Sequence, residues 1–561
     1  MARTTNGKGA DFVFLPLGGV GEIGMNLYLY GYGRNGAREW LIVDMGVTFG
    51  SEYEPGIDVI LPDIRFLEEE RHNIVGLLLT HAHEDHFGAV IDLWPFLSGV
   101  TVYATPFTAE MLKSKLAEIG LVNGFPLEVL PMGARRTIGP FEVELIAMSH
   151  SIPEPSAVVI RTPLGAALHT GDWKLDENPL TSAPTDIARL KALGEDGLVA
   201  LICDSTNAVR DGVSASEADV ALVLEQLIRE ALRRVAVTTF ASNVARLASV
   251  AKAARAAGRG LVVVGRAMHR VIEAAQATGY LDPDLAYHEE TAFESLPPCK
   301  VVALCTGSQG EARAAMARIA LDEHPNVSLD PGDRVIFSSR TIPGNEKAVA
   351  RVQNGLADRG VEVITDQDAP VHVSGHPRRG ELEQLYAWLK PKIAIPMHGE
   401  GRHLEAHARL AEQLGVSEVV RARNGAMVRL LPGPAAIIDD VPTGRLYRDG
   451  LILTRADDGQ VRERRKLSFA GTISVSLVLS EKGVLLADPE VALTGLPAVD
   501  AEGTPFATIA SDAVIGTIES IPRPRRKDHA LVSEAVRRSV RAAVNQAWGK
   551  KPLCSVLLTV L

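Results

Sequence analysis

The sequence predicts an α/β protein: a sheet sandwich with outer helices, interrupted by an inserted α/β domain and followed by a small α/β domain. Three observations carry this. The first two hundred residues read as many short strands joined by turns with few helices, and from about Ser214 the texture changes to longer helical patterns alternating with apolar strands. Strand-rich sequence then returns near Val371 and runs to about Leu451, so the middle stretch reads as an insertion. A further composition shift follows the polar, turn-forming Arg455-Ala456-Asp457-Asp458-Gly459. At 561 residues the chain exceeds one core, and about 150 residues per domain gives three or four units.

Taken in order, the first strands are short apolar or alternating runs at Phe12–Leu17, Met25–Tyr30, Trp40–Val43, Val75–Thr80, Val100–Ala104, Phe141–Ala147 and Ala157–Thr162. Between them, Val90, Leu93, Trp94 and Leu97 recur at helical spacing and predict a helix over Phe87–Leu97. The insertion alternates a helix at Glu217–Arg234, a strand at Val235–Thr239, a helix at Asn243–Ala257, and strands at Gly260–Val264, Val301–Cys305 and Arg334–Ser338. Strand–helix alternation of this kind implies a parallel sheet. At the C-terminal end, Thr472–Leu479 alternates as a strand, His529–Trp548 is an amphipathic helix and Ser555–Leu561 a closing strand. No internal repeat or low-complexity tract interrupts the pattern.

Composition excludes several classes. The N-terminal stretch Met1–Asp11 is polar, unlike a secretory signal, and no apolar run approaches the roughly 18 residues of a membrane span, so no membrane role is expected. The four cysteines, Cys203, Cys299, Cys305 and Cys554, form no C-x-x-C pair, which points to a reducing, cytoplasmic setting and away from a disulfide scaffold or zinc ribbon. A formal charge of −11 is unusual for a nucleic-acid binder, yet net charge says little about a local surface, and bound cations bring their own positive field. The basic clusters Arg462, Arg464, Arg465, Lys466 and Arg523, Arg525, Arg526, Lys527 read as solvated faces rather than RNA grips.

The chemistry concentrates in His81-Ala82-His83-Glu84-Asp85-His86, directly after an apolar strand. Alternate side chains of an extended segment point the same way, so His81 and His83 can converge on one cation while Asp85 and His86 turn toward a second. Imidazole and carboxylate ligands without thiolate suit zinc or manganese in a catalytic site. A binuclear site needs about seven ligands, so partners are expected downstream. His150 ends the strand Phe141–Ala147, Asp172 follows Ala166–His169 and has two oxygens with which to bridge, and His398 follows Lys392–Ile395. Asp44, ending Leu41–Val43, is better placed to orient a ligand histidine than to bind metal. Gly19-Val20-Gly21-Glu22-Ile23-Gly24 fits a dinucleotide fingerprint in letters only, because an alternating strand follows it where a helix is required.

These residues resemble the metallo-β-lactamase superfamily, whose pattern is His81-x-His83-x-Asp85-His86, then His150, then Asp172. More narrowly, the chain is similar to the β-CASP nucleases: Asp204 matches their first additional motif, His376 the second, and His398 with Gly399 and Glu400 the third. Thr239-Phe240-Ala241-Ser242-Asn243, Thr306-Gly307-Ser308-Gln309-Gly310-Glu311 and Ser338-Ser339-Arg340-Thr341-Ile342-Pro343-Gly344-Asn345-Glu346 single out the bacterial ribonuclease J group, and the resemblance covers nearly the whole chain.

The resemblance implies an αββα sandwich at residues 1–212 and 369–452, a β-CASP insertion at 213–368, a linker at 453–466 and an oligomerisation domain at 467–561. It implies two zinc ions, with manganese or magnesium as alternatives, on His81, His83, Asp85, His86, His150, Asp172 and His398. In the two-metal scheme a metal-activated hydroxide attacks phosphorus, His376 protonates the leaving 3′ oxygen, and Asp204 orients that neighbourhood. Ala241, Ser242, Asn243 and the loop His372, Val373, Ser374, Gly375, His376 are the implied RNA contacts, the latter enclosing a 5′-monophosphate. The implied activity is 5′-to-3′ exonuclease with endonuclease cleavage, in rRNA maturation and mRNA turnover. Implied partners are RNA, further copies of the chain as dimer or tetramer, and proteins of RNA-degradation complexes. A structural calcium is a weaker implication, with Asp449 its candidate ligand. A non-catalytic RNA-binding subunit is disfavoured because every ligand type is present. A small-ester hydrolase is disfavoured because the insertion suits a long polymer.

Overall fold

The computed structural model describes residues 9–121 and 124–561, so residues 1–8 of the polar N-terminal stretch lie outside it. Two compact units divide the chain: Met1–Thr48 with Val59–Leu446, and Phe49–Asp58 with Tyr447–Leu561.

Two large sheets of the first unit share one core. An eight-stranded sheet runs in the order Ala436–Asp440, Ala426–Leu431, Asp11–Gly18, Leu27–Arg34, Ala37–Val43, Ile74–Leu78, Val102–Ala104, Leu127–Val129. A seven-stranded sheet runs in the order Arg135–Ile138, Phe141–Ala147, Ser156–Thr162, Gly165–His169, Ala200–Asp204, Ile393–Met397, Glu418–Val419. Alternate residues of both meet in one cluster, Phe12, Phe14, Tyr28, Tyr30, Leu41 and Val43 against Phe141, Val143, Val158, Ile160, Ile202 and Ile395. The other face of the second sheet packs under helices: Leu168, Leu201 and Ala394 meet Leu190 and Leu193 of Ile187–Glu195, Leu382 and Leu385 of Arg379–Leu389, and Leu410 of Gly401–Gln413.

The insertion forms a five-stranded, fully parallel sheet in the order Gly260–Val264, Val301–Cys305, Val235–Thr238, Arg334–Phe337, Glu362–Ile364. Its strands Gly260–Val264, Val301–Cys305 and Val235–Thr238 are near-continuous apolar runs, as strands covered on both faces are. Ser216 caps the helix Glu217–Glu230 in a capping box with Asp219, and Asn243 caps Val244–Ala256. Beyond the insertion the chain returns to the seven-stranded sheet. Ile393–Met397 lies parallel to Ala200–Asp204 with Met397 opposite Asp204, so His398 emerges beside that carboxylate.

Two expectations are corrected here. Phe87–Leu97 is not one helix but the short turns Glu84–Phe87, Val90–Leu93 and the 3₁₀ turn Trp94–Phe96, with Gly88 between the first two and Pro95 within the last. The stretch read as a link at 453–466 contains most of the helix Gln460–Ala470, which starts beyond the left-handed Gly459 at the predicted turn.

The second unit contains a three-stranded sheet, Glu490–Thr494, Thr472–Leu479, Leu553–Val560. Ile473, Val475, Leu477 and Leu479 pack on the helices Phe506–Ser520 and His529–Trp548, whose Val532, Val536, Val540 and Val544 form a buried stripe at a spacing of four. Among the described residues no helix is long and apolar enough to cross a membrane.

Candidate metal centre

The predicted ligands sit at strand ends on one rim of the two sheets. His81 and His83 lie between the strand Ile74–Leu78 and the turn Glu84–Phe87, which carries Asp85 and His86. His150, Asp172 and His398 follow the strands Phe141–Ala147, Gly165–His169 and Ile393–Met397. The loop Asp44–Gly46 braces the motif from below, with Met45 N–H donating to His86 O at 2.6 Å. Gly46 permits this approach, since a Cβ there would lie 1.6 Å from Asp85 O. Asp44 and His398 themselves adopt left-handed backbone, with φ of 63° and 49°. Non-glycine residues held in this region concentrate at functional sites.

Three overlapping groups of ligand atoms result: His81, His83, His150 and Asp172; Asp85, His86, Asp172 and His398; and Asp172, Asp204, His376 and His398, with the atoms of each group within 4.8 Å of one another. In the first, His83 Nδ1 is 3.1 Å from both His81 Nε2 and His150 Nε2. Tetrahedral zinc with bonds of about 2.0–2.1 Å separates its ligand atoms by roughly 3.3 Å, so this spacing fits a cation. In the second, Asp172 Oδ2 is 3.2 Å from His86 Nε2, while His398 Nε2 lies 3.3 Å from Asp85 Oδ2 and 3.6 Å from Asp172 Oδ1. Asp172 Oδ1 is buried without a hydrogen-bond partner, as suits an atom reserved for metal.

The far nitrogen of four imidazoles is fixed by a neighbour. Thr80 Oγ1 donates to Asp44 Oδ2 at 2.8 Å and so accepts from His81 Nδ1 at 2.9 Å. Thr206 Oγ1 donates to Asp204 Oδ1 at 2.7 Å and accepts from His398 Nδ1 at 2.8 Å. His86 Nδ1 donates to Asp44 Oδ2 at 2.7 Å, and His150 Nδ1 to Gly375 O at 2.6 Å. In each ring Nε2 is thereby the nitrogen presented to the cage, and Asp44 orients ligands as its position suggests.

Electrostatics divides the centre. Burial pushes His81, His83 and His150 below the ordinary imidazole value, His83 to about 4, so they stand neutral as metal ligands must. Burial works the same way on His86, His398 and His376, but carboxylates outweigh it. Asp172, Asp85 and Asp44 push His86 up to about 10, Asp172 and Asp204 raise His398, and Asp204 and Asp172 raise His376. Buried carboxylates that draw positive charge so strongly are the surroundings a divalent cation matches.

His376 stands at the edge, its Nδ1 2.8 Å from Asp204 Oδ2 and 3.8 Å from Asp172 Oδ2. Its loop is tied in place by Asn207, whose Nδ2 donates to Ser374 Oγ at 2.8 Å and His376 O at 3.1 Å. Buried Glu381 accepts from the amides of Leu175, Ser214 and Arg378 beneath it.

Some expected RNA contacts have other employment. Asn243 is buried, capping a helix through Arg246 N–H and reaching Glu217, so its side chain is not offered to RNA, whereas Ala241 and Ser242 remain partly exposed. The Val373 side chain is likewise buried. His372 is held neutral by burial, and its Nδ1 has no partner among the described residues. The Asp449 carboxylate is bound by the Arg464 guanidinium, and the metal-ligating groups found among the described residues do not include it. Asp449, the candidate calcium ligand, is thus an ion-pair partner of Arg464 in the structure. Thr80, Thr206, Asn207 and the Gly375 carbonyl were missed by sequence reasoning; only Thr206 and Asn207 carried a signal, standing beside Asp204 in a hydroxyl- and amide-rich turn.

Comparison with known proteins gives matches along the chain. The family descriptions are "Beta-lactamase superfamily domain" over residues 53–193, "Ribonuclease J, beta-CASP domain" over 232–356, "Zn-dependent metallo-hydrolase RNA specificity domain" over 367–422 and "Ribonuclease J C-terminal domain" over 459–560. Ribonuclease J of Sinorhizobium meliloti is 53 % identical over 98 % of this chain and 97 % of its own length. Ribonuclease J of Mycolicibacterium smegmatis is 40 % identical over 96 % and 95 %. Ribonuclease J of Thermus thermophilus is 37 % identical over 84 % and 83 %. A crystal structure of a protein of unknown function from Enterococcus faecalis V583 has a TM-score of 0.51 at 16 % identity, covering 75 % of this chain and 100 % of that one, and shares the fold alone. With its histidines and aspartates gathered on one rim, the chain belongs to the ribonuclease J family of the metallo-β-lactamase superfamily and is a metal-dependent nuclease acting on RNA.

Proposed function

We propose that this ribonuclease degrades RNA 5′-to-3′ with preference for a 5′-monophosphate, also cleaves internally, and works with two divalent cations, zinc or else manganese or magnesium. The observation that carries this reading is Asp172, shared by the ligand groups on either side of it, with the His376–Asp204 pair alongside. Two such cations, when bound, lower the pKa of water and stabilise charge on phosphoryl oxygens. His81, His83 and His150 would hold one, Asp85, His86 and His398 the other, and Asp172 both. His376 Nδ1–H donates to Asp204 Oδ2, which leaves Nε2 to hold the proton that the departing 3′ oxygen requires. Ser374 and the amides of Ser374 and Gly375, which have no intramolecular acceptor among the described residues, supply donors to a terminal phosphate.

The cellular role that accompanies this activity is rRNA maturation and mRNA turnover in the cytoplasm, by a homodimer or homotetramer working with RNA-degradation proteins. Incubating the purified chain with end-labelled RNA tests the core of the reading. Mononucleotides should be released rapidly from 5′-monophosphate RNA, slowly from 5′-triphosphate RNA, and not at all with chelator; chelator-resistant cleavage would refute it. The third ligand group favours a second reading in which His376 binds metal. Metal analysis of His376→Ala separates the two: full occupancy supports the proton donor, loss of a cation the ligand.

A further inference from the structure

Three consecutive residues of one loop touch three different parts of the site. Ser374, the first, accepts from Asn207 Nδ2 at 2.8 Å. Gly375, the second, accepts from His150 Nδ1 through its carbonyl and lies flush on that ring: a Cβ at this position would be 2.5 Å from both Nδ1 and Cε1 of His150 and 2.9 Å from Ser151 Oγ. Gly375 is not one of the left-handed glycines, so clearance rather than backbone freedom demands the missing side chain. His376, the third, bonds Asp204 at 2.8 Å, and Asp204 continues through Thr206 to His398 Nδ1. The loop therefore abuts a ligand of each metal group. A shift of its backbone would be felt both at His150 and along the Asp204–Thr206–His398 chain.

We propose that Ser374–His376 couples the two binding events, so that a 5′-phosphate seated on the loop tightens the hold on the cations, and the cations in turn shape the loop for the phosphate. This rests on the reading of the loop as the 5′-phosphate pocket. The two effects are equal by linkage, whichever ligand arrives first. Gly375 acts as a positioning residue: its carbonyl keeps His150 Nδ1 protonated and Nε2 free, and its bare Cα lets the ring stand where it does.

The test uses the full-length protein loaded with cobalt(II), whose visible spectrum reports ligand geometry. Cobalt retention against a competing chelator is measured with a short phosphorothioate RNA bearing either a 5′-monophosphate or a 5′-hydroxyl, and binding of each RNA is measured in parallel. The 5′-monophosphate RNA should change the spectrum and tighten retention by about 5- to 150-fold, the usual range of such coupling, with little effect from the 5′-hydroxyl RNA. Gly375→Ala should weaken cobalt binding about 10- to 100-fold without RNA, as loss of an orienting partner does, and abolish the difference between the two RNAs. Asn207→Ala, which frees Ser374 and His376 O but leaves both partners of the Gly375–His150 contact in place, should reduce the response of cobalt retention to the 5′-phosphate. Preferential binding of the 5′-monophosphate RNA with equal retention for both RNAs would overturn the coupling while leaving the pocket standing. Equal binding of both RNAs would overturn both. An unchanged cobalt affinity in folded Gly375→Ala would remove Gly375 from the argument and the proposal with it.

Discussion

His376 and Asp44 illustrate two ways in which a residue beside a metal cage contributes. Asp44 grips His86 and Thr80 and through Thr80 fixes His81, so Asp44→Asn should lower metal affinity about 10- to 100-fold, read by chelator competition, with a smaller loss of rate at saturating metal. His376 is held by Asp204 at 2.8 Å, and if it is the proposed proton donor, His376→Ala should lower the cleavage rate about 10²- to 10⁴-fold with metal content intact. At this scale the sequence was informative for a physical reason. Each of His150, Asp172 and His398 interrupts or ends an apolar strand, where a polar residue has no packing role and stands out. The Gly375 carbonyl was invisible because every residue has a carbonyl, and only the tertiary path decides which one meets His150.

Elements are held to the site by buried charge. Arg246 in the helix Val244–Ala256 donates to Ser338 O at 2.8 Å and Val371 O at 3.0 Å and pairs with Glu217 at 2.9 Å, joining two helices of the insertion to the segment that leads into the loop His372–His376. Glu217→Ala leaves that guanidinium buried and unpaired, and should lower unfolding stability by about 3–5 kcal/mol in denaturant melts. Glu144, on the strand Phe141–Ala147, offers a pH test. Burial alone would raise its carboxyl, but hydrogen bonds from Arg189 at 2.7 Å and Arg161 at 2.6 Å prevail and hold it at about 2, below its ordinary 4.5. A lowered pKa means stability that is complete above about 4.5 and is lost as the pH falls toward about 2. Glu144→Gln should therefore cost roughly 1.5–3 kcal/mol at pH 7, with the gap from wild type closing across that window. Strands were legible because apolar runs bounded by turns have few other uses. The broken helix after the histidine motif was not, because Val90, Leu93, Trp94 and Leu97 keep helical spacing even though Gly88 and Pro95 divide the backbone.

Across the whole molecule, charge and chemistry are unevenly shared. All seven expected metal ligands lie in the first unit, and none in Phe49–Asp58 or Tyr447–Leu561. Removing metal should lower the thermal transition of the first unit and leave that of the second unchanged in calorimetry. Each cation present at a hundred times its dissociation constant contributes about 2.7 kcal/mol to the unit that binds it. The net charge of −11 gave no hint of RNA as substrate, because a nuclease of this kind meets phosphate through a local field that a sum over the surface conceals. The insertion was legible as a change of texture from short strands to strand–helix alternation. The helix Gln460–Ala470 was not, since its run of arginines and glutamate reads equally as a solvated connection.

The route of the chain sets the order in which the parts of the cage are supplied. His398 stands 313 residues after Asp85, on a strand that joins the sheet only after the whole insertion has been made, and the first strand, Asp11–Gly18, awaits Ala426–Leu431 as a neighbour. Six of the seven expected ligands, His81 to Asp172, therefore precede the insertion, and His398 alone follows it. The cage is thus closed by a residue that the chain supplies only after the whole insertion has been made.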